Sequence, residues 1–175
     1  MIQSILRKDR KCLEAELLRC VEYASSKESE VSIGFQDASR ADPEFMLALA
    51  SAFKDFNICA LRLADTVGIL TPRATAELVG RFMLETEFAI GVHTHNDLGM
   101  AVATAVEAVK FGAMFVDTTM FGVGERAGNC DAFQFSHAMQ PFYHIAPSFE
   151  KLTDQRARIS ELMKHVCKKN GWLTS

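Results

Sequence analysis

Two of the chain's five histidines, His93 and His95, are separated by a single residue in the stretch GVHTHNDLGM (91–100). Neutral imidazoles bind borderline divalent metals such as zinc, iron or manganese, and two of them can share one ion if they point the same way. Residues two apart do so on a β-strand and not on a helix. The alternation Phe88, Ile90, Val92 just ahead of them is that of a strand. The shared face then reads Ala89, Gly91, His93, His95: small residues low on the strand, two imidazoles at its carboxyl end, and room above for a ligand. The plainer alternative has one ring bonded to a backbone carbonyl and the other solvated. A catalytic metal usually has three protein ligands and an open position. Asp65, Asp97, Glu125 and Asn129 are the local candidates for the third, and spacing does not choose among them. Asn96 and Asp97, directly ahead of a helical pattern, can also cap that helix or orient the histidines, and capping is the role expected of Asp97.

Other polar residues fall at comparable places. In LRLADTVG, Arg62 and Thr66 have the same parity, so both are expected to face inward. An inward arginine needs a carboxylate, either that of an organic acid substrate or that of an internal ion pair. GFQDASR ends another apolar run with Gln36 and Asp37, the latter in a turn. The stretch MFGVGERAGN carries Gly122, Gly124 and Gly128, a loop whose backbone can approach an anion or let a side chain turn inward. Its spacing is GxGxxxG rather than GxGxxG and no first-strand context precedes it, so a nucleotide-binding module is the weak alternative.

The elements that must position these residues alternate between two hydrophobic periods. EVSIGF (30–35), ICALRLAD (58–65), FAIGVHTH (88–95) and AMFVDTT (113–119) read as buried strands, with starts separated by about 27, 30 and 25 residues, the length of one strand–helix unit. Helical patterns lie between and around them. Ser4 caps a first helix with the stripe Leu13, Leu17, Val21, Ala24. Asp42–Pro43 and Thr71–Pro72 open the next two, and Val102, Ala105, Val106 and Val109 mark a fourth that stops at Gly112. A last helix after APS buries Ile159, Leu162, Met163 and Val166. Strands joined by helices in this way make an α/β fold with a parallel sheet, doubly wound or part of a (β/α)8 barrel. Both architectures place their sites at the carboxyl ends of the strands, where the histidines stand.

The bulk numbers set the remaining bounds. At 175 residues, 49% hydrophobic and 23% charged, the chain is sized for one ordinary domain. A net charge of -3 offers no basic face for nucleic acid or anionic lipid, and no apolar run approaches a membrane span. The N-terminal MIQSILRKDRKC lacks the apolar centre of a signal peptide. The five cysteines form no CxxC pair and read as reduced thiols. A cytoplasmic protein is expected.

HTHNDLGMAVATAVEAVKFGA followed by DTTMFGVGERAGN, with ADTVG upstream, resembles the homocitrate synthase and 2-isopropylmalate synthase family of metal-dependent (β/α)8 barrels, which are similar to HMG-CoA lyases. LRKDR and DASRAD are most similar to the nitrogenase-associated homocitrate synthases, and the likeness spans roughly residues 4–142. The resemblance implies condensation of acetyl-CoA with a 2-oxo acid such as 2-oxoglutarate. It also implies a divalent metal (Mg, Mn, Zn or Fe) as Lewis acid and template, with general acid–base catalysis of proton transfer. His93, His95 and Asn129 are its implied metal residues, and Thr66 its contact to the substrate carboxylate, with Arg62 and Gln36 as further substrate-binding candidates.

The resemblance also has departures. No counterpart is found for the family's first-strand motif, which supplies a metal-binding Asp and a catalytic Arg, or for its catalytic histidine beyond the barrel. Gln36 stands where a Glu is usual, and an amide cannot take a proton as a carboxylate can. A (β/α)8 barrel has eight strands and four are counted here, so the expected fold is the C-terminal half of a TIM barrel over residues 1–145 with a helical extension at 146–175. Such an arc leaves open edges and an uncovered face. It is expected to work with a complementary N-terminal half-barrel chain or as a homo-oligomer, and otherwise to be an inactive or regulatory half-subunit.

Overall fold

The computed structural model describes residues 9–27, 30–144 and 149–169. In chain order these form α1 (Arg10–Ser25), β1 (Val31–Phe35), α2 (Pro43–Ala52), β2 (Ile58–Asp65), α3 (Pro72–Glu85), β3 (Ile90–Thr94), α4 (Ala101–Lys110), β4 (Phe115–Asp117), a short 3-10 turn (Met120–Gly122), α5 (Ala132–Met139) and α6 (Phe149–Lys169). The strands pair in parallel in the order β1-β2-β3-β4. Four parallel strands alternating with helices, followed by a C-terminal helix, make half of the (β/α)8 pattern.

The two faces of the sheet follow from the alternation along each strand. One face carries Ile33 and Phe35, Leu61 and Leu63, Ile90 and Val92, and Val116, in register across the sheet. Val21 of α1, Met46, Leu49 and Ala50 of α2, Val79 and Phe82 of α3, and Ala108 of α4 close over it as a continuous apolar core. Phe82 meets Phe35 edge-on at 5.9 Å between ring centroids. The opposite face carries two rows in register: Gly34, Arg62, Gly91, Phe115, and above it Ala64, His93, Asp117. No helix covers this second face among the described residues. Arg62 and Phe115 are exposed there.

The helix starts show why the sequence stops and starts where it does. Asp42 accepts from the Glu44 amide and Thr71 from the Ala74 amide, each ahead of a proline in the first turn. Ser4 lies outside the described residues; α1 begins at Arg10, capped by Asp9, whose side chain accepts from the Cys12 amide. Several expectations are corrected. β3 and β4 are shorter than the apolar runs: after Thr94 the backbone leaves the ladder and pairs His95 with Asn129 in an isolated antiparallel bridge, and after Asp117 it pairs Thr119 with Asp131. Helix α5, capped by Asp131, was not anticipated. Its signal was present in that cap and in Ala132, Phe133, Phe135 and Met139, all buried. On α6, Leu152 is buried and Ile159 and Met163 are half-buried along the expected stripe, but Leu162 is 58% exposed and leaves it; the Val166 side chain lies outside the described residues.

Candidate functional site

His93 stands in the middle of the second row of the open face, between Ala64 and Asp117, and His95 lies one residue past the strand, yet both rings reach the same place. Their Nε2 atoms are 3.3 Å apart, with ring planes inclined at 81°. Two bonds of about 2.0–2.1 Å to a zinc-like ion, meeting at a tetrahedral angle, hold their nitrogens about 3.3–3.4 Å apart, so the pair is already spaced for one ion. Partial burial, then the neighbouring His93 and Arg126, push the His95 pKa below its ordinary value. That favours the neutral ring, the form a metal binds.

Asn129 is brought beside this pair by the bridge to His95 and by two flanking backbone bonds, Asn96 N–H to the Gly128 carbonyl at 2.8 Å and Cys130 N–H to the Thr94 carbonyl at 3.2 Å. Its Nδ2 donates to the Val123 carbonyl at 3.1 Å, while its Oδ1 is buried with no partner. A buried oxygen left without a donor is costly, and a cation beside two imidazoles relieves that cost. Close packing sets the amide's position: a Cβ on Gly124 would sit 2.3 Å from Asn129 Nδ2. The other three candidates for a third ligand are engaged elsewhere. Asp65 is buried and accepts the Ile69 and Leu70 amides, Asp97 is clamped by Arg126, and the Glu125 side chain is 81% exposed. The residues present therefore fit a divalent ion in part. Among the described residues no group of three or more His, Cys, Asp and Glu is arranged to hold one.

Arg62 meets a carboxylate within the chain. Its Nη1 is 2.7 Å from Oδ2 of Asp117, and the same oxygen is 3.3 Å from Nδ1 of His93. The hydrogen bond from His93, with Arg62 adding to it, holds the Asp117 carboxyl below the usual carboxylate range despite partial burial. Asp117 is the residue that sequence reasoning missed. It sits in an ordinary-looking apolar run, and only the β3–β4 register, His93 opposite Asp117, shows its partners.

Thr66 and Gln36 come together at the carboxyl ends of β2 and β1. The Thr66 hydroxyl accepts the Asp37 amide at 2.7 Å and donates to Gln36 Oε1 at 3.1 Å. With Oε1 occupied, the Gln36 NH2 is the end left to offer donors. Asp37 itself adopts a left-handed backbone, with φ 57°, and is clamped by Arg40. Arg126 then ties the two corners together. Its guanidinium forks onto Asp97 at 2.8 and 2.9 Å and donates to the Thr66 carbonyl at 3.0 Å, joining the loops that follow β2, β3 and β4. Its hydrogen bonds hold the Asp97 carboxyl low. Asp97 is thus not the cap of α4; Met100 occupies the cap position without a side-chain bond, and Asn96 reaches in from the turn, its Oδ1 accepting the Ala101 amide at 3.1 Å. Cys130, beside Asn129, is fully buried, and burial pushes its thiol up to about 12, which leaves it protonated and inert.

The family model described as HMGL-like matches residues 1–159. The chain is 36% identical over 166 residues to the homocitrate synthase subunit alpha of Clostridium pasteurianum, covering 93% of this chain and 62% of that protein. It is 35% identical over 170 residues to 2-isopropylmalate synthase 2 of Caldanaerobacter subterraneus subsp. tengcongensis, covering 97% of this chain and 43% of the relative. The chain thus spans about half the length of the curated relatives it matches. A solved N-terminal domain from Bacteroides vulgatus superposes with a TM-score of 0.70 at 19% identity over 87% of this chain and 52% of that one, a likeness of fold. Rhizobium etli pyruvate carboxylase superposes with a TM-score of 0.59 at 22% identity over 70% of this chain and 13% of that one. With nearly its whole length matched, this chain belongs to the HMGL-like family.

Proposed function

We propose that this chain supplies one half of the active site of a metal-dependent acyltransferase that condenses acetyl-CoA with a 2-oxo acid. A homocitrate synthase-like reaction on 2-oxoglutarate is the first choice and a 2-isopropylmalate synthase-like one the alternative. The names of its relatives support the reaction class. The observation that carries the reading is the convergence of the two Nε2 atoms, with Asn129, whose Oδ1 is buried and unpartnered, bridged through its backbone to His95. His93, His95 and Asn129 would hold the ion, which when bound supplies Lewis acidity to the 2-oxo acid's carbonyl.

The chain's own residues bind and orient. Gln36, its amide pinned by Thr66, turns two N–H donors toward a substrate carboxylate. Arg62 commits Nη1 to Asp117 and, with five N–H groups in its fork, keeps donors for an acid substrate. Gln36 cannot accept a proton from the acetyl methyl group, so that step belongs to a group contributed from outside the described face. β1 and β4 are each paired on one side only among the described residues. We assign the missing neighbours to a segment bearing the other four strands, on this polypeptide or a separate one, with self-association as the alternative.

A second reading, a half-subunit that binds the ion and catalyses nothing, is favoured by Gln36, an amide at a position where this family commonly has an acid. One experiment separates the two. The chain is mixed with the N-terminal half of a related enzyme, and thiol release from acetyl-CoA is followed with 2-oxoglutarate, 2-oxoisovalerate or pyruvate. Turnover dependent on both halves and on one 2-oxo acid supports the enzyme reading. Ion binding that depends on His93 without turnover supports the second. No turnover together with no His93-dependent ion binding overturns both readings.

A further inference from the structure

We infer that Asp117 is a positioning residue for the ion-binding pair: it selects the tautomer of His93 and aims that ring's lone pair at the place where His95 also points. This rests on the reading of His93 and His95 as ion ligands. Asp117 and His93 are register partners on adjacent parallel strands and lie on the same open face. Oδ2 of Asp117 stands 3.3 Å from Nδ1 of His93. An ionised carboxylate only accepts, so the hydrogen between them must sit on Nδ1, and a neutral imidazole protonated there carries its lone pair on Nε2. It is Nε2 that faces His95. Asp117 meets the opposite nitrogen from the one facing His95, which makes it an orienter of the ring and not a third ligand.

The strand register, and not the ion pair, sets this contact: Asp117 stands opposite His93 on the adjacent strand, and Arg62 only shares the same oxygen, at 2.7 Å. Ala64, on the other side of His93 in the row, is too small to hold the ring, which leaves its orientation to Asp117. At 3.3 Å the contact is longer than a full charge-assisted hydrogen bond, and the same oxygen also takes the Arg62 ion pair.

The test uses the full chain and Zn2+, with affinity read by competition against a chromogenic chelator. His93→Ala defines the binding that belongs to this site, apart from the other histidines and cysteines. Asp117→Asn is expected to weaken that binding about 10- to 100-fold, Asp117→Glu to recover part of the loss, and Arg62→Gln, which removes the ion pair but keeps the His93 contact, to shift it no more than about threefold. Nitrogen NMR of the imidazole rings is expected to show His93 as the Nδ1–H form in the wild-type chain and as a mixture in Asp117→Asn. An Asp117→Asn chain that binds Zn2+ as the wild type does, while His93→Ala does not, overturns the inference and leaves the ion site standing. An Arg62→Gln chain as weak as Asp117→Asn assigns the effect to the ion pair and overturns it too. Should Asp117→Asn melt early, the wild-type tautomer decides: an Nε2–H ring is incompatible with the role. Absence of His93-dependent Zn2+ binding in the wild-type chain overturns this inference and the ion-site reading together.

Discussion

The same four strands present two surfaces of opposite character. On one, Leu61, Ile90 and Val92 are sealed under helices with Phe82 and Val79, and water is excluded. On the other, one residue along each strand, Arg62, His93 and Asp117 share a partly solvated cluster, and Phe115 is 52% exposed. The first surface supplies the hydrophobic stabilisation of the fold, and the second carries the charged and imidazole side chains that the proposed function uses. Core residues and candidate site residues are therefore separated by parity on the strand.

Two substitutions test that separation with the largest expected effects. Phe82→Ala removes a fully buried ring that packs on Phe35 and is expected to cost about 3–5 kcal/mol, a fall in melting temperature on the order of 10 °C by calorimetry. The double change His93→Ala/His95→Ala is expected to abolish site-specific Zn2+ binding, measured by dialysis and metal analysis, while melting stays within about 2 °C of wild type in the absence of metal. Loss of folding in the double variant would break the comparison, because the open face would then be part of what holds the chain together.

A smaller effect is expected where the loops join the two corners. Gly68 has φ 68°, and a Cβ there would lie 2.2 Å from Asp97 Oδ2, so Gly68→Ala must both strain the backbone and displace Asp97 from Arg126. A cost of about 1–3 kcal/mol is expected in urea unfolding, along with faster amide exchange at the Thr66–Leu70 turn. The smallest effect sharpens the contrast most directly. Phe115→Ser, a large apolar residue changed on the open face, is expected to shift chemical stability by less than about 0.5 kcal/mol, against several for Phe82→Ala on the closed one. If the Phe115 change proves as costly as the Phe82 change, the open face is covered in the protein as it works alone.

Much of this arrangement was legible in the residues themselves. The parity of His93 and His95 placed both imidazoles on one side, and the shared parity of Arg62 and Thr66 marked a second polar strand end. The proline-led helix starts at Pro43 and Pro72 were readable because capping is a local contact, made within three residues. Asp117 and the Asp97–Arg126 fork were not. Their partners are 24 and 29 residues away in the chain, and whether they meet depends on strand register and on the path of a loop. The expectation that Asp97 caps α4 failed for the same reason: a free carboxylate ahead of a helix is a cap until a guanidinium arrives from elsewhere and takes it.

What the amino-acid order determined by itself is therefore the set of periodic segments, which face of each is apolar, and the polar residues that end each strand, because these depend on neighbours a few bonds apart. What only the tertiary structure decided is which of those polar residues meet. Packing the helices on one face sets the sheet's register, the register brings His93 to Asp117, and the turn after Thr94 bridges His95 to Asn129, whose Oδ1 is left without a partner. A hydrogen bond acts over about 3 Å, and that precision across separate strands comes from the packed core beneath them.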